Sequence, residues 1–121
     1  MSTERQYIDH LNDILDALLK SVEFVDGLTF EQFYADDKTA FAVVRALEII
    51  GEATKQLPDS LRDGHPKVPW RDMAGMRDKL AHHYFGVNLL VVWKTVMEDV
   101  PALIPMIRSI LENAEFGQTC E

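Results

Sequence analysis

The chain has 121 residues, 47% of them hydrophobic, and a formal charge of −8. A chain of this length buries roughly two thirds of the surface its unfolded form exposes, which predicts one core and one domain over 1–121. The charge excludes a broad, sequence-independent nucleic-acid binder, because such binding draws on many Lys and Arg contacts. Phosphate recognition would have to be local, or assembled by a dimer or partner that concentrates positive charge.

The opening "MSTERQYIDH" has no basic region followed by an apolar run. The apolar run "LLVVW" falls far short of the ~20 residues of a membrane span, so a soluble, cytoplasmic protein without a membrane partner is expected. From Tyr7 through Ile8, Leu11, Ile14, Leu15, Leu18, Leu19, Val22 and Val25, apolar residues recur at three- and four-residue spacing. That spacing predicts a long first helix with one buried stripe. Thr3 and Gln6 suit a capping-box start, and Gly27 a stop. Asp9, Asp13 and Asp16 share its other side with His10 nearby, a pattern that suits a solvated acidic face better than a metal site.

"TFEQFYADD" reads as a short helical turn and linker, with Thr29 and Gln32 as a second cap pair. A second long helix is expected from Lys38 to Gln56, with Phe41, Val44, Leu47, Ile50 and Leu57 as its apolar pattern and Pro58 ending it. Ala46, Gly51 and Ala53 would let another helix approach closely. "PDSLRDGHPKVPW", with three prolines and a glycine, reads as an irregular connection in which His65 is a surface residue.

The next helix is expected from Trp70 to Gly86. Another starts after Asn88 as N-cap and carries Leu89, Val92, Trp93 and Val96. Pro101 fits the first turn of a last helix through Ile104, Ile107, Ile110 and Leu111, with Pro105 inside that turn or at a kink. No stretch alternates in the manner of a strand, so an all-α, up-and-down bundle of four to five helices is expected. Cys120 has no partner in the chain, which excludes an internal disulfide and a cysteine-based metal site.

The segment "MRDKLAHHYFGV" concentrates chemistry. At ~100° per residue, Met73, Met76, Leu80 and His83 form one stripe, the core or interface side. Asp78 and His82 are four apart and adjacent on a neighbouring face, where a carboxylate can orient an imidazole. Arg77 and Tyr84 share a third direction. Arg77 and His82 are ~140° apart on a regular helix, so either the long Arg side chain wraps around the helix end or two copies of the segment meet across a dimer axis. Gly86 would put His82, His83 and Tyr84 near the last turn, where the helix dipole favours a protonated imidazole. From residue types alone, the cluster reads more readily as exposed helix charges, Arg77 and Asp78, with the histidines and Tyr84 as half-buried polar caps of a bundle.

The segment resembles the signature of the HEPN superfamily, an Arg followed after four residues by a His, here Arg77, Asp78 and His82. Tyr84 extends the likeness to the Arg-x-x-x-x-His-x-Tyr form of HepT-like proteins, and "RALEIIGEA", "VPWRDMAGMRD" and "VWKTVMEDVP" resemble blocks of the same family. The resemblance implies an all-α homodimer with two such motifs at a shared cleft. It implies a metal-independent, cofactor-free endoribonuclease toxin of a type VII-like toxin–antitoxin system, cutting tRNA or mRNA. Arg77 would bind the phosphate, His82 would move protons and Asp78 would orient His82. His83 would stand behind the site or at the interface. An MntA-type nucleotidyltransferase antitoxin would silence the toxin by transferring AMP to Tyr84. The alternative is a non-enzymatic HEPN module that binds a nucleotide or positions substrate for a nucleotidyltransferase partner. A carboxylate-bridged metal bundle fits poorly, since no pair of Glu-x-x-His segments is present.

Overall fold

The structure is a computed structural model that describes the backbone of residues 2–81 and 88–120 and the side chains of residues 7–76 and 88–114. The described residues are helical apart from turns: α1 (Ser2–Val25), α2 (Phe30–Ala35), α3 (Asp37–Lys55), α4 (Asp59–Asp63), α5 (Trp70–Ala81), α6 (Leu89–Lys94) and α7 (Val100–Cys120). A π-helical turn over Thr95–Asp99 joins α6 to α7 in one continuous helical run. The fold is the expected all-α bundle, with four long helical segments and two short ones among the described residues.

α3 is the central helix, packed against both α1 and α5, while α7 packs against α1. α1 contributes Leu11, Ile14, Leu18 and Val25 to the core as expected, together with Ser21, whose hydroxyl donates to the Leu18 carbonyl at 2.8 Å. Gly27 ends the helix in the left-handed region at φ 80°, where a side chain would be strained. The helix takes in Ser2 and Thr3, so Thr3 lies inside it and does not cap it. Glu4, Arg5 and Gln6 favour helix, and extending a formed helix by one residue has little cost.

In α3 the buried stripe is Val43, Leu47, Ile50 and Thr54, with Ala46, Gly51 and Ala53 providing the close approach their size predicts. Phe41, expected in that stripe, is 76% exposed. It lies nine residues before Ile50, about 180° around the helix, so both cannot face the core. α2 is capped reciprocally by Thr29 and Gln32, at 3.1 and 2.9 Å, and buries Phe33 against Trp93 with ring centroids 5.3 Å apart.

The connection after Pro58 is more ordered than its composition suggests. α4 forms there, because Asp59 and Arg62 pair at one-turn spacing (2.6 Å) and the Pro58 carbonyl accepts from Leu61 and Arg62. Further on, no chain break separates the two last expected helices. Pro101 sits in the first turn of α7 and Pro105 lies inside the helix, as expected. The run stays helical because the turn before Pro101 widens to five-residue hydrogen bonding.

No helix among the described residues is long and apolar enough to cross a membrane.

Candidate functional site

α5 carries the first half of the motif, and its start is tied down locally. The Trp70 indole N–H donates to the His65 carbonyl at 3.0 Å, and the Trp70 amide donates to the Val68 carbonyl at 2.8 Å. The Pro69 carbonyl accepts the Met73 amide at 3.0 Å. His65, expected at the surface, is half-buried, and its backbone serves as the anchor for Trp70. Trp70, Met73 and Met76 are all buried, which sets the rotation of α5 about its axis. The Met73 and Met76 stripe is therefore the core side, as the periodicity predicts.

With that rotation known, helix geometry assigns the next positions. Arg77 follows Trp70 by seven residues and Met73 by four, so its Cα falls on the inward arc of α5. Asp78 follows Arg71 by seven and Ala74 by four, which puts its Cα on the outward side. The two neighbours therefore leave the helix about 100° apart. His82, His83 and Tyr84 lie outside the described residues, so the spacing of Asp78 to His82 stays an expectation from sequence.

The electrostatics of α5 differ from those of the whole chain. Three basic residues (Arg71, Arg77, Lys79) stand against two acidic ones (Asp72, Asp78), in a protein of net charge −8. Local positive charge is thus concentrated on the segment that carries the motif. On the other side of the bundle, the α1 carboxylates behave as surface charges: Asp9, Asp13 and Asp16 are exposed, and Asp16 pairs with Lys20 at 2.9 Å. Arg45 of α3 reaches Glu48 and Glu52 at 3.7 and 3.6 Å. Among the described residues, no three His, Cys, Asp or Glu side chains converge as a metal site would require.

Two depressions flank α5 that the linear sequence does not reveal. One, of about 360 Å³, lies beside Met73 and Met76 and is bordered by Asp72, Glu98 and Asp99. The other, of about 560 Å³, lies between α4 and the outward side of α5 and contains Arg62 and Arg71. Each combines residues from separate segments.

Comparison with known proteins identifies the family of the chain. The family model described as ribonuclease HepT-like matches residues 14–110, from the middle of α1 to about halfway along α7. A protein of Thermococcus cleftensis named "Probable ribonuclease HepT" is 54% identical over 100 residues, covering 83% of this chain and 91% of the relative. A protein of Caldanaerobacter subterraneus subsp. tengcongensis, named as a candidate RNase, is 46% identical over 113 residues, covering 93% of this chain and 98% of the relative. One of Methanocaldococcus jannaschii, named likewise, is 45% identical over 105 residues, covering 87% of each chain. No solved structure matches. By the extent of the family match and the identity of these relatives, the chain belongs to the ribonuclease HepT-like family.

Proposed function

We propose that this protein is a metal-independent endoribonuclease, the toxin of a two-component system whose antitoxin is an MntA-type nucleotidyltransferase. The observation that carries this reading is family membership over residues 14–110 in a chain that has Arg77, Asp78, His82 and Tyr84 at the spacing of the family signature. The positive balance of α5 within an acidic protein supports it, because a scissile phosphate needs local cations.

RNA supplies its own nucleophile. The 2′-OH attacks the adjacent phosphorus, the O2′–P bond forms and the P–O5′ bond breaks. A base takes the 2′ proton and an acid delivers one to the departing O5′. His82, with its counterpart from a second copy, serves as base and acid, while Asp78 holds its ring. Arg77 grips the crowded phosphate with a guanidinium fork that a lysine does not reproduce. A cleft shared by two protomers, where each chain brings one motif, would pool the Arg77 and His82 groups of both. His83 stands behind this centre or at the interface, and the substrate is a cytoplasmic tRNA or mRNA.

Tyr84 is the regulatory position. Its phenol oxygen attacks the α-phosphorus of ATP in the antitoxin, pyrophosphate leaves, and the resulting phosphodiester places a negative charge and a nucleotide beside Arg77. Substrate phosphate is then excluded by charge and bulk.

His82→Ala should abolish RNA cleavage and toxicity with the helical fold intact; retained cleavage removes His82 from the mechanism. Intact mass with peptide mapping should show an AMP-sized increment on Tyr84 only after coexpression with the partner nucleotidyltransferase. Binding of ATP or the partner with no RNA cleavage at any dose would select the non-enzymatic nucleotide-binding module instead.

A further inference from the structure

Apart from Asp78, the outward face of α5 is unused by the chemistry above. Arg71, Ala74, Gly75 and Asp78 succeed one another at three- and four-residue spacing, so their Cα positions share the side of the helix away from Met73. Over this face lies the depression of about 560 Å³, lined by Asp59, Arg62 and Asp63 of α4, by Arg71, Ala74 and Gly75 of α5, and at its edge by Trp70.

Gly75 is the unusual component. It has no positive φ, and a Cβ added there meets no atom within 4 Å. Nothing within the described chain requires a glycine, yet it favours the helix less than alanine would. A glycine without an internal reason suits close approach by something from outside.

The charges around the depression indicate what approaches. Asp59 is occupied by Arg62 at 2.6 Å, and that contact leaves other N–H donors of the guanidinium available. Arg71 is exposed and has no ion-pair partner among the described residues. Asp63 is the remaining carboxylate, on the α4 side, while the positive end of the α5 dipole lies beside Arg71. Seven residues of helix put Arg71 and Asp78 about 10 Å apart along the axis. That span corresponds to ~3 stacked nucleotides, fewer in an extended strand.

We propose that this depression holds a phosphodiester of the RNA strand neighbouring the scissile one, with Arg71 as its principal cation, Arg62 as the second, and the Ala74–Gly75 saddle as the surface over which the strand passes. This inference rests on the ribonuclease reading. It adds a substrate-positioning site outside the motif and explains how an acidic protein gains grip on a strand longer than the bond it cuts.

The test is binding of a fluorescent single-stranded oligoribonucleotide with 2′-O-methyl groups, which cannot be cut, measured by anisotropy over a range of salt. Arg71→Ala should weaken binding several-fold and make the slope of log K against log salt shallower by about 0.7, the contribution of one phosphate contact to a single strand. Arg71→Lys should restore the slope. Gly75→Glu, whose side chain enters open space, should weaken binding with the helical fold retained in circular dichroism. Wild-type affinity and slope in both Arg71→Ala and Gly75→Glu would overturn the proposal, as would failure of the wild type to bind the strand. Cleavage of the unmodified strand, measured in parallel, separates the two readings. A wild type that cuts, beside variants that bind normally, removes the depression and keeps the nuclease. A shallower slope in a protein that never cuts keeps the phosphate site and removes the nuclease.

Discussion

The amide of Val100 donates to the carbonyl of Thr95, five residues back and not four. This wider turn stands directly before Pro101, which has no amide hydrogen to give, and the helix then runs on through Pro105. The two prolines are accommodated within one continuous run because the π turn adjusts the backbone ahead of them. Pro105 is exposed, so Pro105→Ala should return one backbone hydrogen bond without disturbing the core. We expect a gain of about 1–2 kcal/mol after the greater freedom of the unfolded chain is counted, seen as a rise of several degrees in thermal melting.

Gly75→Ala should also stabilise the fold, by about 0.5–1 kcal/mol, since its Cβ enters open space on a regular helix. Chemical denaturation measures this. The gain should appear as a higher midpoint with an unchanged slope, because the surface exposed on unfolding is nearly the same.

Phe33 is fully buried and faces the Trp93 ring at a 5.3 Å centroid distance. It ties the short α2 to α6, and its removal leaves a cavity that backbone hydrogen bonding keeps from collapsing. Phe33→Ala should lower stability by about 3–5 kcal/mol in urea titration, whereas Phe41→Ala, at an exposed position, should change it by less than about 0.5 kcal/mol.

Asp36 caps α3. The Thr39 hydroxyl donates to its carboxylate at 2.7 Å and the Thr39 amide at 3.2 Å, and these bonds hold its carboxyl below the ordinary aspartate range. Its pKa is lowered in the folded state, so its stabilising contribution is present above the unfolded value of about 3.9 and is lost as pH falls through the folded one. Thermal melting between pH 7 and pH 2 should therefore show a smaller acid-side loss in Asp36→Asn than in the wild type.

Arg77→Lys keeps the charge and removes the planar fork. On the proposed mechanism, cleavage should fall on the order of 10- to 100-fold while melting temperature stays close to that of the wild type. Steady-state rates on a defined oligoribonucleotide, beside the melting curve, check both halves.

Local rules carried most of the helical reading. The Thr29–Gln32 box, the Asn88 cap with its 3.0 and 3.3 Å bonds to Leu90 and Val91, and the Gly27 stop all act within one turn, so their residue types announce them. α4 was hidden because its three neighbouring prolines and a glycine outweigh a five-residue helix held by one Asp59–Arg62 pair. Of the candidate site, the stripe of Met73 and Met76 was legible from spacing. The roles of Arg77, Asp78, His82, His83 and Tyr84 come from resemblance, and the last three lie outside the described residues.

By itself, the sequence determined where the long helices form, most of the residues that cap them, and which family the chain resembles, because these depend on neighbours three or four positions apart or on short motifs. The tertiary structure decided which apolar residues face inward. Phe41 and Ile50 are both apolar, but opposite sides of one helix cannot meet the same core, and it is Ile50 that is fully buried while Phe41 stays exposed. It decided likewise that Arg62 and Arg71, nine positions apart in different helices, border one depression. Such a juxtaposition depends on how two rigid elements pack, and no spacing along the chain encodes it.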